Sequence, residues 1–288
     1  MRRGAGGLAC AGRRQRRDVG PVSVPEAVLL GVVQGFTEFL PVSSSGHLVV
    51  GQALLGIELP GVAFEVAVHF ATLVSVLVAY RRRVGALMRG SVRLDPETWR
   101  YLGLIALANV PAAAVYFLLG EVGAAAGATP AAAGVALLVT GGVLWSARAA
   151  MRSRAPQSAP FPGARGLGVA MLIGVAQAFA LLPGISRSGS TVVAALWLGV
   201  ASDDAAEFSF LMSVPAILGA ALLQLVDAGA TAPALGTAPL VFGAVAAAAT
   251  GLVAIRIFLA ALRARSFHRF APYPWVLGLL FLGYLWIG

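Results

Sequence analysis

Glu38, His47 and Arg187 fall inside apolar stretches that are otherwise nearly free of charge. An ionisable group in hydrocarbon costs roughly 2–3 kcal/mol unless it is paired or wet. Each is therefore a candidate for chemistry. Gln34 and Glu38 are four residues apart and share one helical face. Pro41 then turns the chain, and Ser43, Ser44 and Ser45 supply hydroxyls. Gly46 permits an unusual backbone, and His47 exchanges a proton near neutrality. Arg187 carries a planar fork of donors suited to phosphate oxygens. Ser186, Ser188, Ser190 and Thr191 surround it, and Gly184 and Gly189 can expose backbone N–H groups. The run PGISRSGST is thus a candidate phosphate site. It is not a Walker loop, because the chain has no GK[ST] and no Lys.

One segment carries acid/base and metal-type groups; the other carries an anion clamp. That division suits phosphoryl transfer, which needs charge neutralised and a nucleophile aligned. Glu38, with Gln34, can hold a divalent cation, Mg2+ or Ca2+, bridging phosphates. A hard cation favours oxygen, which argues against an all-histidine zinc site. Arg187 would clamp a phosphate, with Ser43, Ser186, Ser188, Gly189 and Thr191 as further phosphate ligands. His47 would activate Ser44 or a water, and the residues leave that choice open. Blander roles compete. Glu38 and Arg187 can form a buried pair that only locks the fold, and small hydroxyl residues are common at membrane helix contacts. His69 lies early in a clean apolar run and reads either way; Glu65 is a candidate second carboxylate. Arg256 reads as a snorkelling side chain, and His268 as a headgroup-zone residue. Asp203, Asp204 and Glu207 suit a helix start.

The elements that position these residues must cross a membrane. Of 288 residues, 59% are apolar and only 11% charged, against about 25% charge in soluble domains. Mean hydropathy is +0.86. This excludes an ordinary soluble enzyme, a disordered chain and a disulfide scaffold. The net charge of +9 comes entirely from Arg. Six of the 21 Arg lie in residues 1–17 and most others border apolar runs, so the anionic partner is lipid headgroup, not nucleic acid. Residues 1–20 read as a disordered basic extension without a signal sequence, and Cys10 is the only cysteine. A single membrane domain is expected over 21–288.

Ser23, Pro25 and Glu26 mark the first helix start. Full spans are expected at 64–80, 101–119, 131–147, 208–226, 240–262 and 273–287. Two broken pairs remain, one over 24–55 and one over 167–200. Residues 31–50 align with 174–193 without a gap, at nine identities in twenty. Gln34 meets Gln177, Ser43 meets Ser186, Ser45 meets Ser188, and Gly46 meets Gly189. The chain is therefore a duplication, with repeat one at about 24–150 and repeat two at about 166–288. If each broken pair is re-entrant, the copies run in opposite directions and their breaks meet near the midplane. The expectation is an all-α polytopic membrane protein with inverted-topology repeats, six full transmembrane helices and two re-entrant hairpins. The segments 81–100, 148–165 and 263–269 are arginine-rich, while 120–130 and 227–239 contain no Arg. That is the positive-inside pattern. The same model puts the basic tail on the opposite side.

QGFTEFLPVSSSGH at 34–47, AQAFALLPGISRSGST at 176–191 and FSFLMSVPAILGA at 208–220 resemble the bacterial undecaprenyl-diphosphate phosphatases, or bacitracin resistance proteins. The resemblance covers about residues 24–286. It implies a multi-pass hydrolase of the bacterial inner membrane that cleaves a phosphoric anhydride. Its product, undecaprenyl phosphate, is the lipid carrier for peptidoglycan and other envelope polymers. It further implies bacitracin resistance, dependence on a divalent cation, and a site open to the outer, periplasmic face. The family's second acid falls on Glu38, its histidine on His47 and one proposed serine nucleophile on Ser44. Its phosphate ligands fall on Ser186, Arg187 and Thr191. Gln34 stands where the family has Glu or Gln, so this chain has one negative charge fewer than Glu-bearing members. The competing reading is an inverted-repeat transporter of an anion or lipid phosphate coupled to protons.

Overall fold

The structure, a computed structural model, describes residues 22–55, 62–127, 129–153, 161, 163–228 and 236–287. The basic extension at 1–20, with Cys10, lies outside the described residues. Among these, all regular structure is helical. The helices are α1 (Val24–Phe39), α2 (Ser44–Leu55), α3 (Val62–Ala79), α4 (Arg81–Val92), α5 (Pro96–Gly127) and α6 (Pro130–Ser153). After them come α7 (Gly163–Phe179), α8 (Arg187–Trp197), α9 (Ser202–Ala228), α10 (Thr237–Arg263) and α11 (Pro272–Ile287). A 3-10 turn, Phe267–Phe270, joins the last two.

Five helical segments are long and apolar enough to cross a membrane: α5, α6, α9, α10, and α11 with its preceding turn. A sixth is added if α3 counts with α4, to which it is bent by 83°. These six match the expected spans. Segment 81–92, read from sequence as a basic loop, is instead a helix. Val84, Leu87 and Met88 form its apolar stripe, with Arg81, Arg82, Arg83 and Arg89 around it, as in a helix lying along an interface. Likewise α6 continues to Ser153, past the loop start expected at 148, because Ala and Arg are strong helix formers and nothing there stops the helix. Asp95 starts α5. Its carboxyl accepts the hydroxyl of Thr98 at 2.6 Å and its N–H at 2.9 Å, and these bonds hold its pKa below the usual range.

Helix directions follow from side-chain contacts. Arg83, just after α3, pairs with Glu207 at 2.8 Å and stacks over Tyr101. Arg263 pairs with Asp203 at 2.9 Å. Arg100 donates to the carbonyls of Phe161 and Gly163. The starts of α5, α7 and α9 and the end of α10 therefore share one arginine-rich end. So α5 leaves that end and α10 arrives at it. α1 lies along α10 in the same direction, with Gly31 against Gly243 and Gly35 against Thr250 and Gly251. α7 lies along α5 in the same direction, with Gly166 against Arg100 and Gly174 against Ala108. The broken pairs thus enter from opposite ends, and the repeats are inverted.

Each pair also turns back. Sixteen residues in α1 and 17 in α7 span only about 24–26 Å, short of the ~30 Å hydrocarbon core. After α2, Phe64 at the start of α3 packs with Ala27, near the start of α1. After α8, Trp197 donates to Ser146 in the C-terminal half of α6, and α9 then begins at the arginine-rich end. Both pairs are re-entrant hairpins. Each entering helix packs on a long helix of the other repeat, α1 on α10 and α7 on α5. Small residues allow this close approach: Gly31 and Gly35 face Gly243, Ala247 and Gly251. A ladder of buried rings, Phe39, Phe210, Phe258 and Phe267, packs edge to face with centroids 4.9–5.6 Å apart and leads from the first break toward the arginine-rich end.

The glycine seam yields a prediction. A methyl at Gly35 would strike Thr250 Oγ1, the Ala247 carbonyl and the Gly251 amide. Overpacking of this kind costs about 1–3 kcal/mol. Gly35→Ala should lower the thermal unfolding midpoint in detergent, and a midpoint equal to wild type would contradict the packing described.

Candidate active site

The two breaks place two helix N-termini against each other. Pro41 cannot continue α1, and Ser43 adopts φ 68, a left-handed conformation rare outside glycine. The Gly46 N–H donates to Ser43 Oγ at 3.2 Å. Repeat two reproduces this cap, the Gly189 N–H donating to Ser186 Oγ at 3.2 Å. Gly184, with φ 98, makes the second turn. Thr140 of α6 braces it, accepting from the Ser186 N–H at 3.1 Å and donating to the Gly184 carbonyl at 2.7 Å. A methyl on Gly46 would lie 3.0 Å from Gly184 Cα, and one on Gly189 3.2 Å from Pro41 Cβ. The breaks are therefore in contact, and the first turns of α2 and α8 bring two positive dipole ends together. Such a place favours an anion.

Glu38 is the hub. Its side chain is only 8% exposed. Oε1 accepts from Arg187 Nη2 at 2.9 Å. Oε2 accepts from Gln34 Nε2 and from Ser44 Oγ, both at 3.2 Å. Ser44 and Arg187 are equivalent positions of the duplication, the first residues of α2 and α8, and both reach Glu38. Arg187 Nη1 is buried and has no hydrogen-bond partner. Half of its fork is thus committed to the carboxylate and half is left over. An unpaired buried donor is costly, and a phosphate oxygen is the ligand that a guanidinium fork fits best.

The other expected residues are placed as follows. Ser43, Ser186, Ser188 and Gly189 are buried in the two caps, with Ser43 Oγ 3.3 Å from Ser45 Oγ and Ser186 Oγ 3.4 Å from Ser188 Oγ. Thr191 is fully buried; its hydroxyl lies 2.8 Å from the Arg187 carbonyl and 2.7 Å from Ser209 Oγ of α9. It braces the first turn of α8. His47 bonds away from Glu38: Nδ1 lies 2.7 Å from the Ser43 carbonyl, and Nε2 lies 2.7 Å from the Tyr273 hydroxyl of α11. Since a carbonyl only accepts, the proton sits on Nδ1 and Nε2 accepts from Tyr273.

His69 of α3 is the addition. Its Nε2 lies 3.9 Å from Glu38 Oε2, and its Nδ1 donates to the Glu65 carbonyl one turn earlier. The sequence offered its signal, an imidazole in a span, but not the crossing that brings α3 beside α1. Tyr273 had no signal beyond an aromatic at a span start. Gln177, the counterpart of Gln34, donates to Asn109 Oδ1 at 2.9 Å, and Asn109 donates to the carbonyls of Ile105 and Met212. That copy has become a structural network, because Leu181 replaces the acid at the position matching Glu38.

No group of three His, Cys, Asp or Glu able to hold a metal ion occurs among the described residues. Glu38 and the Gln34 amide oxygen are the oxygen donors present that would hold a hard cation, with substrate phosphate oxygens and water completing its shell. Beside the site, an apolar groove of about 680 Å³ runs between α6, α7 and α8. Phe179, Leu182, Val193 and Trp197 line it, and Ile185 and Ser190 bring it up to the second break.

Fold and site together define an integral membrane protein of inverted repeats, with a polar, ion-paired centre where two re-entrant hairpins meet. The sequence matches the profile of the bacitracin resistance protein BacA over residues 27–280, and the chain belongs to that family. A protein named undecaprenyl-diphosphatase from Rubrobacter xylanophilus is 41% identical over 274 residues, covering 89% of this chain and 98% of that one. Proteins of the same name from Desulfosudis oleivorans and Desulfatibacillum aliphaticivorans are 39% and 38% identical. They align over 91% and 88% of this chain and 98% and 95% of their own lengths.

Proposed function

We propose that the protein hydrolyses undecaprenyl diphosphate to undecaprenyl phosphate and inorganic phosphate at the Glu38–Arg187 centre. This would recycle the lipid carrier for cell wall synthesis and give bacitracin resistance. The half-used Arg187 fork at two converging helix starts carries the reading. The terminal phosphate takes the free Nη1 and draws Arg187 toward itself. The amides at the starts of α2 and α8 share the remaining charge. Glu38 keeps Ser44 through Oε2 and accepts its proton. Ser44 Oγ attacks the terminal phosphorus, the bridging P–O bond breaks, and undecaprenyl phosphate leaves. Water then cleaves the phosphoserine, releasing inorganic phosphate and restoring the hydroxyl. Glu38 and Gln34 would hold a divalent cation carried in with the diphosphate, which lowers the charge repelling the nucleophile. The apolar groove beside the second break suits the first isoprene units.

The arginine-rich segments 81–100, 148–165 and 263–269 support an inner-membrane protein with that end in the cytoplasm. Glu65 and His69, on the half of α3 away from the arginine-rich end, support a site open to the outer face. Purified protein should release phosphate from undecaprenyl diphosphate with Mg2+ and lose most of that release in EDTA. Passage of an anion across sealed liposomes without hydrolysis would replace the enzyme with a transporter.

A further inference from the structure

Away from the catalytic centre, the arginine-rich end holds a second concave site. A cavity of about 380 Å³ lies between the end of α6 and the turn joining α10 to α11. Arg148, Arg152, Arg265 and Arg269 line it, with His268 and Met151. None of the four arginines forms an ion pair among the described residues; Asp203 pairs with Arg263 and Glu207 with Arg83. Segments 130–153 and 263–287 contain no acidic residue. Four like charges around one small volume repel one another unless an anion joins them.

The backbone reinforces the cluster. α10 ends in a Schellman turn: the Ser266 N–H donates to the Ala261 carbonyl at 2.9 Å and the Arg265 N–H to the Leu262 carbonyl at 3.0 Å. The residue in the left-handed position is normally glycine. Here it is Arg265, at φ 53, and its side chain lines the cavity. His268 joins the four arginines in the lining. Just inside, Trp145 packs edge-on to His268 and beside Trp275, and the Arg148 guanidinium lies over the Trp145 ring. Tryptophan beneath arginine is the layering of a bilayer interface, rings at headgroup depth and cations among phosphates.

We infer that this pocket binds the phosphate headgroup of an anionic phospholipid in the cytoplasmic leaflet. The Trp145–Trp275 pair favours a lipid over a soluble phosphate, because it places apolar surface directly below the cations. The site is independent of the proposed hydrolysis and uses none of its residues.

Native mass spectrometry of the detergent-purified protein, titrated with phosphatidylglycerol and with phosphatidylcholine, tests it. Wild type should retain the anionic lipid preferentially. Arg148→Gln with Arg269→Gln should weaken that retention about thirtyfold, from about 1 kcal/mol per arginine near a lipid surface. Phosphate release measured in lipid-free detergent should be unchanged in the double variant, which shows that it is folded. Equal retention of phosphatidylglycerol by wild type and variant overturns the proposal. Displacement of the lipid by millimolar inorganic phosphate overturns the lipid assignment in favour of a soluble ligand.

Discussion

Arg187→Ala is expected to lower phosphate release from undecaprenyl diphosphate by at least about a thousandfold. Loss of one well-placed donor to a developing oxyanion costs about 10²–10³ in rate, and this substitution removes both arms of a fork. The variant should still fold. Glu38 would retain Gln34 and Ser44 as donors, so its carboxylate is not left bare. Breaking the buried pair lowers the unfolding midpoint, and a single cooperative transition would confirm that the variant is folded. Arg187→Lys should rescue little, because an ammonium cannot bridge carboxylate and phosphate as the planar fork does. A lysine variant with near-normal turnover would reduce Arg187 to a point charge and undo the geometric argument.

Glu38→Gln should separate binding from turnover. At rest Arg187 is paired with Glu38, so an incoming diphosphate competes with the carboxylate for the guanidinium. The amide keeps the shape and removes the competitor. Turnover should fall about 10²–10⁴-fold, the range for loss of a general base. A non-hydrolysable diphosphate lipid should bind more tightly than to wild type. A merely structural ion pair predicts otherwise. Leaving a buried Arg unpaired costs about 3–5 kcal/mol, and that loss alone would lower stability without improving ligand binding. Equal or weaker analogue binding by a folded variant would count against Glu38 as the gate on Arg187.

The legible part of the fold came from cost. Ionisable residues and prolines inside apolar runs had to mark breaks, and the duplication at 31–50 and 174–193 paired those breaks. The alternation of arginine-rich and arginine-free segments marked which helix ends lie together. Helix α4 was hidden because its arginines read as a loop, while its apolar stripe is only three residues wide. Within the site, Glu38, Ser44 and Arg187 were visible as residue types at the two breaks. The pairing of Ser44 and Arg187 on one carboxylate was not, since it depends on the angle at which the hairpins cross. His69 was underread for the same reason: its neighbour lies on another helix, and no local spacing encodes that. The contact of His47 with Tyr273 was not legible either, because the two lie far apart along the chain.

The packing of α1 on α10 has a consequence for how the protein is made. The first hairpin leaves the ribosome long before its main neighbour exists, and Glu38 emerges before Arg187 has been translated. Until the last third of the chain arrives, an acid-bearing hairpin too short to span must be sheltered at the translocon or by an insertase. The spanning helices of each half can enter the bilayer first, so the hairpin docks and the centre closes late, once α10 is in place.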